Sequence, residues 1–273
     1  MGQLLHTLPE GEPVDGVTLL AGEIYFLRWK ARDQVEVYDV TTYRLQRRLT
    51  VPYARRFTDM TSCEHNRCVY IGDVSCSCVH RLDVQGAVTQ WAVNDRPCSL
   101  SVNAAHNVLV TCPRVRKIKE FSSHGHLLRE LTLPDDVIRP WHAIQTRSGQ
   151  FIVCHAGIGP VRRVCMISAD GRHIVHSHGG HWGSDTDQYN EPLHLAVDDN
   201  ERVFVADSVN SRVTLLSPTL QYVGQVVSPD QLKRGHPVSL YLDTQRRHLY
   251  VAGNEWNEEQ RKHTSGRVAV FTV

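Results

Sequence analysis

From Pro192 to Leu220 the chain reads PLHLAVDDNERVFVADSVNSRVTLLSPTL, and its apolar residues fall in short runs separated by polar turns. Leu193 to Val197, Val203 to Ala206 and Val213 to Leu216 are three such runs, and Tyr222 to Val227 is a fourth. Within them apolar and polar positions alternate with a period of two, and β-branched residues dominate. Both features predict short antiparallel strands rather than helices. Asp198-Asp199-Asn200 has the composition of a tight turn, and Asp207 to Asn210 that of a longer loop.

The four-strand layout recurs. Met60 to Asp83 overlays His194 to Ser217 without gaps, and Cys98 to Ser122 overlays Leu193 to Ser217. Trp141 to Gly157 and His236 to Gly253 start further copies, and Val17 to Val40 holds the first. Pro97, Pro140, Pro192 and Pro237 anchor successive copies at steps of 43, 52 and 45 residues. A four-strand repeat of this length predicts an all-β, six-bladed β-propeller of four-stranded antiparallel blades. The blades are expected at 13–51, 57–93, 97–133, 140–178, 192–227 and 237–273. The last copy ends on a third strand, Val268 to Val273. Leu4 to Pro9 matches the fourth strand Leu128 to Pro134. The N-terminal segment 3–9 is therefore expected to complete the last blade and close the ring, making 1–273 a single propeller without an exposed sheet edge.

The composition suits a packed domain. Apolar residues make up 41% and charged residues 22% of the 273 positions, and 30 basic against 29 acidic side chains leave a net charge of +1. No block of one sign reads as a nucleic-acid tail, and no apolar stretch is long enough to span a membrane. The N-terminus lacks the basic and apolar regions of a signal peptide, so a cytoplasmic address with reduced cysteines is expected.

The residues Pro192-Leu-His-Leu-Ala-Val-Asp198, Val203-Phe-Val-Ala-Asp207 and Asn210-Ser-Arg212-Val213 resemble the NHL repeat, most closely in this copy and more loosely in the others. NHL propellers form the C-terminal domain of many tripartite-motif ubiquitin ligases, and related propellers occur in a peptide-amidating lyase and in calcium-dependent lactonases. The resemblance implies a partner-binding propeller, and by family alone an association with a ubiquitin ligase. RING and B-box cysteine/histidine patterns are missing, so ligase activity does not carry over. Fold alone does not fix function.

Loops joining second to third strands, and each blade to the next, open on one face, the top. Arg28, Lys30, Arg32, Arg114, Arg116, Lys117, Arg162 and Arg163 fall in the first kind. Glu10, Glu12, Asp15, Asp185, Asp187 and Glu191 fall in the second, so the face is polarised. Trp29, Trp182, Trp256 and Tyr53, beside Arg55-Arg56, add aromatics. Trp, Tyr and Arg are the usual hot spots of protein interfaces, and with clustered cations they also suit single-stranded RNA. Asp207 and Arg212 are expected to pair across a loop as a scaffold element, with Lys117, Arg163 and Arg267 at the equivalent place in other blades.

Cys63, Cys68, Cys76 and Cys78 invite a zinc reading. The repeat places the first two at one end of a strand and the last two at the other, about 17 Å apart, too far for one metal. Cys98, Cys112, Cys154 and Cys165 are expected to be buried thiols. His142 and His194 share a repeat position on adjacent innermost strands and are expected to face the central channel, with His155 near its mouth. Three imidazoles would suit a catalytic zinc. Against that, the overlay puts Met60, Ser99 and Ser239 at the other equivalent positions, with no acidic residue. His173, His176, His178 and His181 decorate the fourth strand of blade four and the loop after it. Gly157-Ile158-Gly159 follows a strand without a helix and makes no phosphate loop, and Asp135-Asp136 has no acid/base partner.

The reading these features favour is a monomeric, non-catalytic scaffold with no cofactor and no membrane contact. It would bind a protein partner through Trp29, Trp182, Trp256, Arg114, Arg116 and Arg162. Single-stranded RNA on the same face is the first alternative. A metal-dependent lyase or lactonase working in the central channel is the second.

Overall fold

The computed structural model describes residues 1–29, 33–156, 161–233, 235–257, 259–260 and 262–273. Lys30, Arg32 and the Gly157-Ile158-Gly159 segment lie outside these. Among the described residues twenty-four strands form six four-stranded antiparallel sheets, with no helix. No helix is therefore long and apolar enough to cross a membrane.

Each sheet is one blade. The first strands run Val14–Leu20, Phe57–Cys63, Ser99–Val102, Pro140–Gln145, Pro192–Val197 and His236–Asp243. Each packs beside its counterpart in the next blade, and the sixth packs beside the first. The second strands, such as Cys68–Asp73 and Phe151–Ala156, are buried along their whole length. They are therefore apolar runs, since both faces of a central strand meet a neighbouring blade. Fourth strands such as Leu45–Thr50 and Leu127–Thr132 face solvent and carry charge.

The core is divided among the seams. Six clusters of buried side chains each draw on two adjacent blades; Phe204, Leu215, Leu240 and Phe271, for example, join blades five and six. Hairpins between first and second strands are fixed by Asx turns. In blade five Asp198 Oδ1 accepts the backbone N–H of Asn200 and of Arg202 at 3.0 and 2.8 Å. In blade three Asn103 does the same for Ala105 and Asn107.

The ring closes through the N-terminus. Leu4–Thr7 pairs antiparallel with Lys262–Thr272 as the fourth strand of blade six. Asn254 then stitches blade six to blade one: its amide accepts the N–H of Val14 at 2.7 Å and donates to the Val14 carbonyl at 2.9 Å. Gly11 and Gly266 exchange backbone hydrogen bonds beside it. A Cβ on Gly266 would lie 2.4 Å from the Asn254 side-chain oxygen and 2.7 Å from Val14 N, which is why the seam carries glycine there.

One irregularity repeats. In five blades the pairing of first and second strands slips by one residue at the same place: Val14/Gly16, Phe57/Asp59, Pro140/His142, Pro192/His194 and Pro237/Ser239. A bulge leaves one residue unpaired and re-aims the next. The skipped residues are Asp15, Thr58, Trp141, Leu193 and Val238, and all five line one central cavity, as does Cys98 in blade three.

Candidate active site in the central channel

Gly16, Asp59, His142, His194 and Ser239 follow the five bulges, and Ser99 starts the unbulged first strand of blade three. Asp59, His142 and His194 come together here. One ligating atom from each lies within 4.8 Å of the others, and all three side chains are buried. Asp59, Ser99 and His194 form the floor of an open cavity of about 1360 Å³. His142 stacks against His194 with ring centres 3.8 Å apart.

Asp59 corrects the expectation that the inner positions hold no acid. Blade two has one residue more between its bulge and Gly72 than blade five has between its bulge and Ala206. An overlay that sets Asp73 on Asp207 therefore puts Met60 where Asp59 belongs. A slip of one residue turns every strand side chain to the other face. His155 is a second correction. It is fully buried but outside the group, with Nδ1–H directed to the Ile138 carbonyl at 3.3 Å and Nε2 accepting from Arg163 Nε at 2.9 Å. Burial, reinforced by the Arg163 charge, lowers its pKa to about 4 and keeps it neutral.

The hydrogen bonds fix what each group offers. Asp59 Oδ2 accepts the Leu100 N–H at 2.9 Å, and Oδ1 has no partner. His142 donates from Nε2 to the Leu100 carbonyl at 3.2 Å, so its unpartnered Nδ1 carries a lone pair. Burial, then the neighbouring His194, holds the His142 pKa well below the usual range, so the ring stays neutral. His194 Nδ1 accepts the Leu240 N–H at 3.3 Å, which leaves the proton on Nε2, 3.5 Å from Asp59 Oδ2. Ser99 Oγ also lacks a partner. Such a concentration of buried, unsatisfied polar atoms marks a place built for something else to bind.

A divalent cation fits this group. Asp59 Oδ1 and His142 Nδ1 are ready ligands. His194 joins them by moving its proton to Nδ1, which forfeits the Leu240 hydrogen bond at about 1–3 kcal/mol. That cost is small beside the roughly 10 kcal/mol or more that a well-ligated zinc ion supplies. One carboxylate and two imidazoles suit zinc better than calcium or magnesium.

The cavity wall adds Asp15, which sits on the first strand of blade one rather than in the loop before it. Burial raises its pKa to about 7, Arg56 pulls it down and Asp59 pushes it up. Of the predicted binding residues, Trp29, Arg114, Arg116 and Arg162 line this cavity; Trp182 and Trp256 do not. Trp182 is 63% exposed in the loop before blade five, and Trp256 meets the edge of His263. Tyr53 is 84% exposed and also stands outside. Arg212 binds Asp207 at 2.8 Å, as expected of a scaffold pair. The cysteines are free thiols; burial pushes Cys78, Cys112 and Cys165 up to about 12. His178 Nε2 is engaged with the Thr186 carbonyl at 2.9 Å.

No family model matches the chain, and no curated protein matches it. Solved structures with the same fold include a catalytically inactive variant of virginiamycin B lyase from Staphylococcus aureus with quinupristin. It shares 13% identity over 96% of this chain and 81% of that one, at a TM-score of 0.67. A streptogramin B lyase shares 10% over 100% and 86%, at 0.66. Kuenenia stuttgartiensis hydrazine synthase shares 13% over 96% and 97%, at 0.64. None of these three is a tripartite-motif protein. At such identities the likeness establishes the six-bladed propeller fold. The expectation of a non-catalytic, partner-binding scaffold is corrected: these three structures are of enzymes, and within this chain Asp59, His142 and His194 come together in the channel while Trp182 and Trp256 stand apart from its cavity.

Proposed function

We propose that this chain is a lyase that works in the central channel with a divalent cation held by Asp59, His142 and His194. The observation that carries this reading is the convergence of three buried ligating side chains, two of which, Asp59 and His194, line an open cavity. The lyases among the structural neighbours supply the reaction class, and the NHL-like repeats point the same way through the lyase and lactonase propellers related to that family. The cation would polarise a substrate carbonyl oxygen. Asp15, tuned to exchange a proton near neutral pH, is placed to take the acidified C–H proton beside that carbonyl. The C–H electron pair becomes the new double bond. The C–O or C–N bond beyond it breaks, and the leaving atom takes up a proton. No water is added.

The test is metal analysis of protein purified without chelators, with Leu240 followed by amide NMR. About one equivalent of zinc is expected, falling at least tenfold in His142→Ala. Zinc added to stripped protein should shift the Leu240 amide, because His194 must release it. Failure to bind zinc at micromolar concentration, or binding that ignores His142→Ala, would overturn the assignment.

A further inference from the structure

The mouth of the channel is charged out of proportion to the molecule. The whole chain carries a net charge of +1. The cavity alone is lined by Arg56, Arg96, Arg114, Arg116, Arg139 and Arg162, against Asp15, Asp59 and Glu191. The arginines all come from blades two to four and the loops that enter them, while Asp15 and Glu191 stand on the other side. Arg116 pairs with Asp135 at 2.8 Å, but that carboxylate is 97% exposed and so a weak partner. Arg139 lies over the Trp141 ring, 5.5 Å from its centre. Among the described residues Arg96 and Arg114 have neither an ion pair nor a side-chain hydrogen bond, and both are exposed at the mouth. A concave, one-sided cationic wall focuses potential and draws anions in.

Building on the lyase reading, we propose that the substrate is an organic anion whose carboxylate or phosphate group is gripped by Arg96, Arg114 and Arg139 while its reactive part reaches down to Asp59 and His194. Guanidinium forks bind both oxyanions through paired hydrogen bonds. The open cavity, at about 1360 Å³, exceeds the roughly 300–1,000 Å³ usual for small-molecule sites and has room for an anion with an organic body. Trp29, Trp141 and Ile138 offer that body an apolar wall. Single-stranded RNA fits less well. Trp182 and Trp256 stand outside the cavity, so no row of aromatics tracks a strand alongside the arginines.

The experiment is calorimetric titration of metal-stripped full-length protein with tricarballylate, with inorganic pyrophosphate, and with a twenty-nucleotide single-stranded RNA. Saturable one-site binding of one small anion is expected, and which of the two binds tells carboxylate from phosphate. Arg96→Gln/Arg114→Gln should weaken it at least tenfold without changing zinc content. His142→Ala should lose zinc and keep the anion, so failure of the anion site and failure of the metal site read out separately. Arg147→Gln, in the hairpin between the first two strands of blade four, should change neither. Absence of saturable anion binding, or indifference to the double substitution, would overturn the proposal. So would RNA binding far tighter than either small anion and sensitive to the same substitutions.

Discussion

Asp15 illustrates how much a single position can cost. Its carboxyl is held in the channel wall where burial disfavours the charge, so its pKa rises from an ordinary 3.8 to about 7. The sign follows from proton binding. Between those two values the folded chain keeps the proton and the unfolded chain releases it. Stability from this site therefore falls as pH rises through the window, and the penalty is complete above about 7. Asp15→Asn should accordingly stabilise the stripped protein at pH 8, by about 1–2 kcal/mol after allowing for screening at the open cavity. Near pH 4 the two proteins should unfold at the same denaturant concentration. A gain that did not vary with pH would mean that Asp15 is not titrating in this window. At this scale the sequence was only partly readable. His142 and His194 stood out because they share a repeat position. Asp59 did not, because a one-residue difference in hairpin length is invisible to a gapless overlay yet decides which face a side chain takes. Asp15 and the arginines at 56, 96 and 139 stood next to blade boundaries, where periodicity carries no information about what a bulge will aim inward.

The bulge is the element that turns a repeated scaffold into a site. In five blades the skipped residue of the first strand lines the cavity, and in blades two and five the next one, Asp59 or His194, lines it too, while the seams stay apolar. The strands themselves were legible, since a period of two with turn residues between runs has few other solutions. The long step between Pro140 and Pro192 was legible only as extra length. The structure shows how that excess is held. Arg212 donates to the carbonyls of Ser184, Asp185 and Gln188 at 2.6, 3.1 and 2.7 Å while paired with buried Asp207. One guanidinium thus ties down the loop before blade five. Burial raises the Asp207 pKa despite Arg212 and Asn210, so the carboxylate depends on those partners. Arg212→Ala leaves it uncompensated and should cost about 3–5 kcal/mol in urea unfolding. Adding Asp207→Asn should recover part of that loss. Amide exchange at Gly183 to Tyr189 should quicken in both variants, because the loop loses its donor either way. Unchanged exchange in that segment would assign the Arg212 contribution to the Asp207 pair alone.

For the whole molecule the decisive feature is closure, and it rests on two separable devices. The seam between blades six and one is held by Asn254, which satisfies both backbone groups of Val14, and by packing of Leu8, Val14, Tyr250 and Val268. The fourth strand of blade six is supplied by Leu4–Thr7, which covers the C-terminal end of Lys262–Thr272, from Ala269 to Phe271. Loss of either should loosen the ring, but with different consequences. Asn254→Ala strands a buried N–H and a buried carbonyl, so it should cost about 2–4 kcal/mol. No new sheet edge appears, and the protein should stay monodisperse. Removing residues 1–8 takes out Leu8, itself a loss of about 2–5 kcal/mol for a buried leucine. It also uncovers the Val268–Thr272 stretch of the last strand, the part with which residues 3–8 pair. An unpaired edge of this kind is a template for a second chain. The truncated protein should therefore self-associate in size-exclusion chromatography at micromolar concentration, where Asn254→Ala elutes as the intact chain does. A synthetic peptide of residues 1–8 should reverse the association by refilling the edge. If the truncated chain remained monodisperse and as stable as the full one, closure by the N-terminal strand would contribute nothing, and the ring would be held by the Val14–Asn254 seam alone.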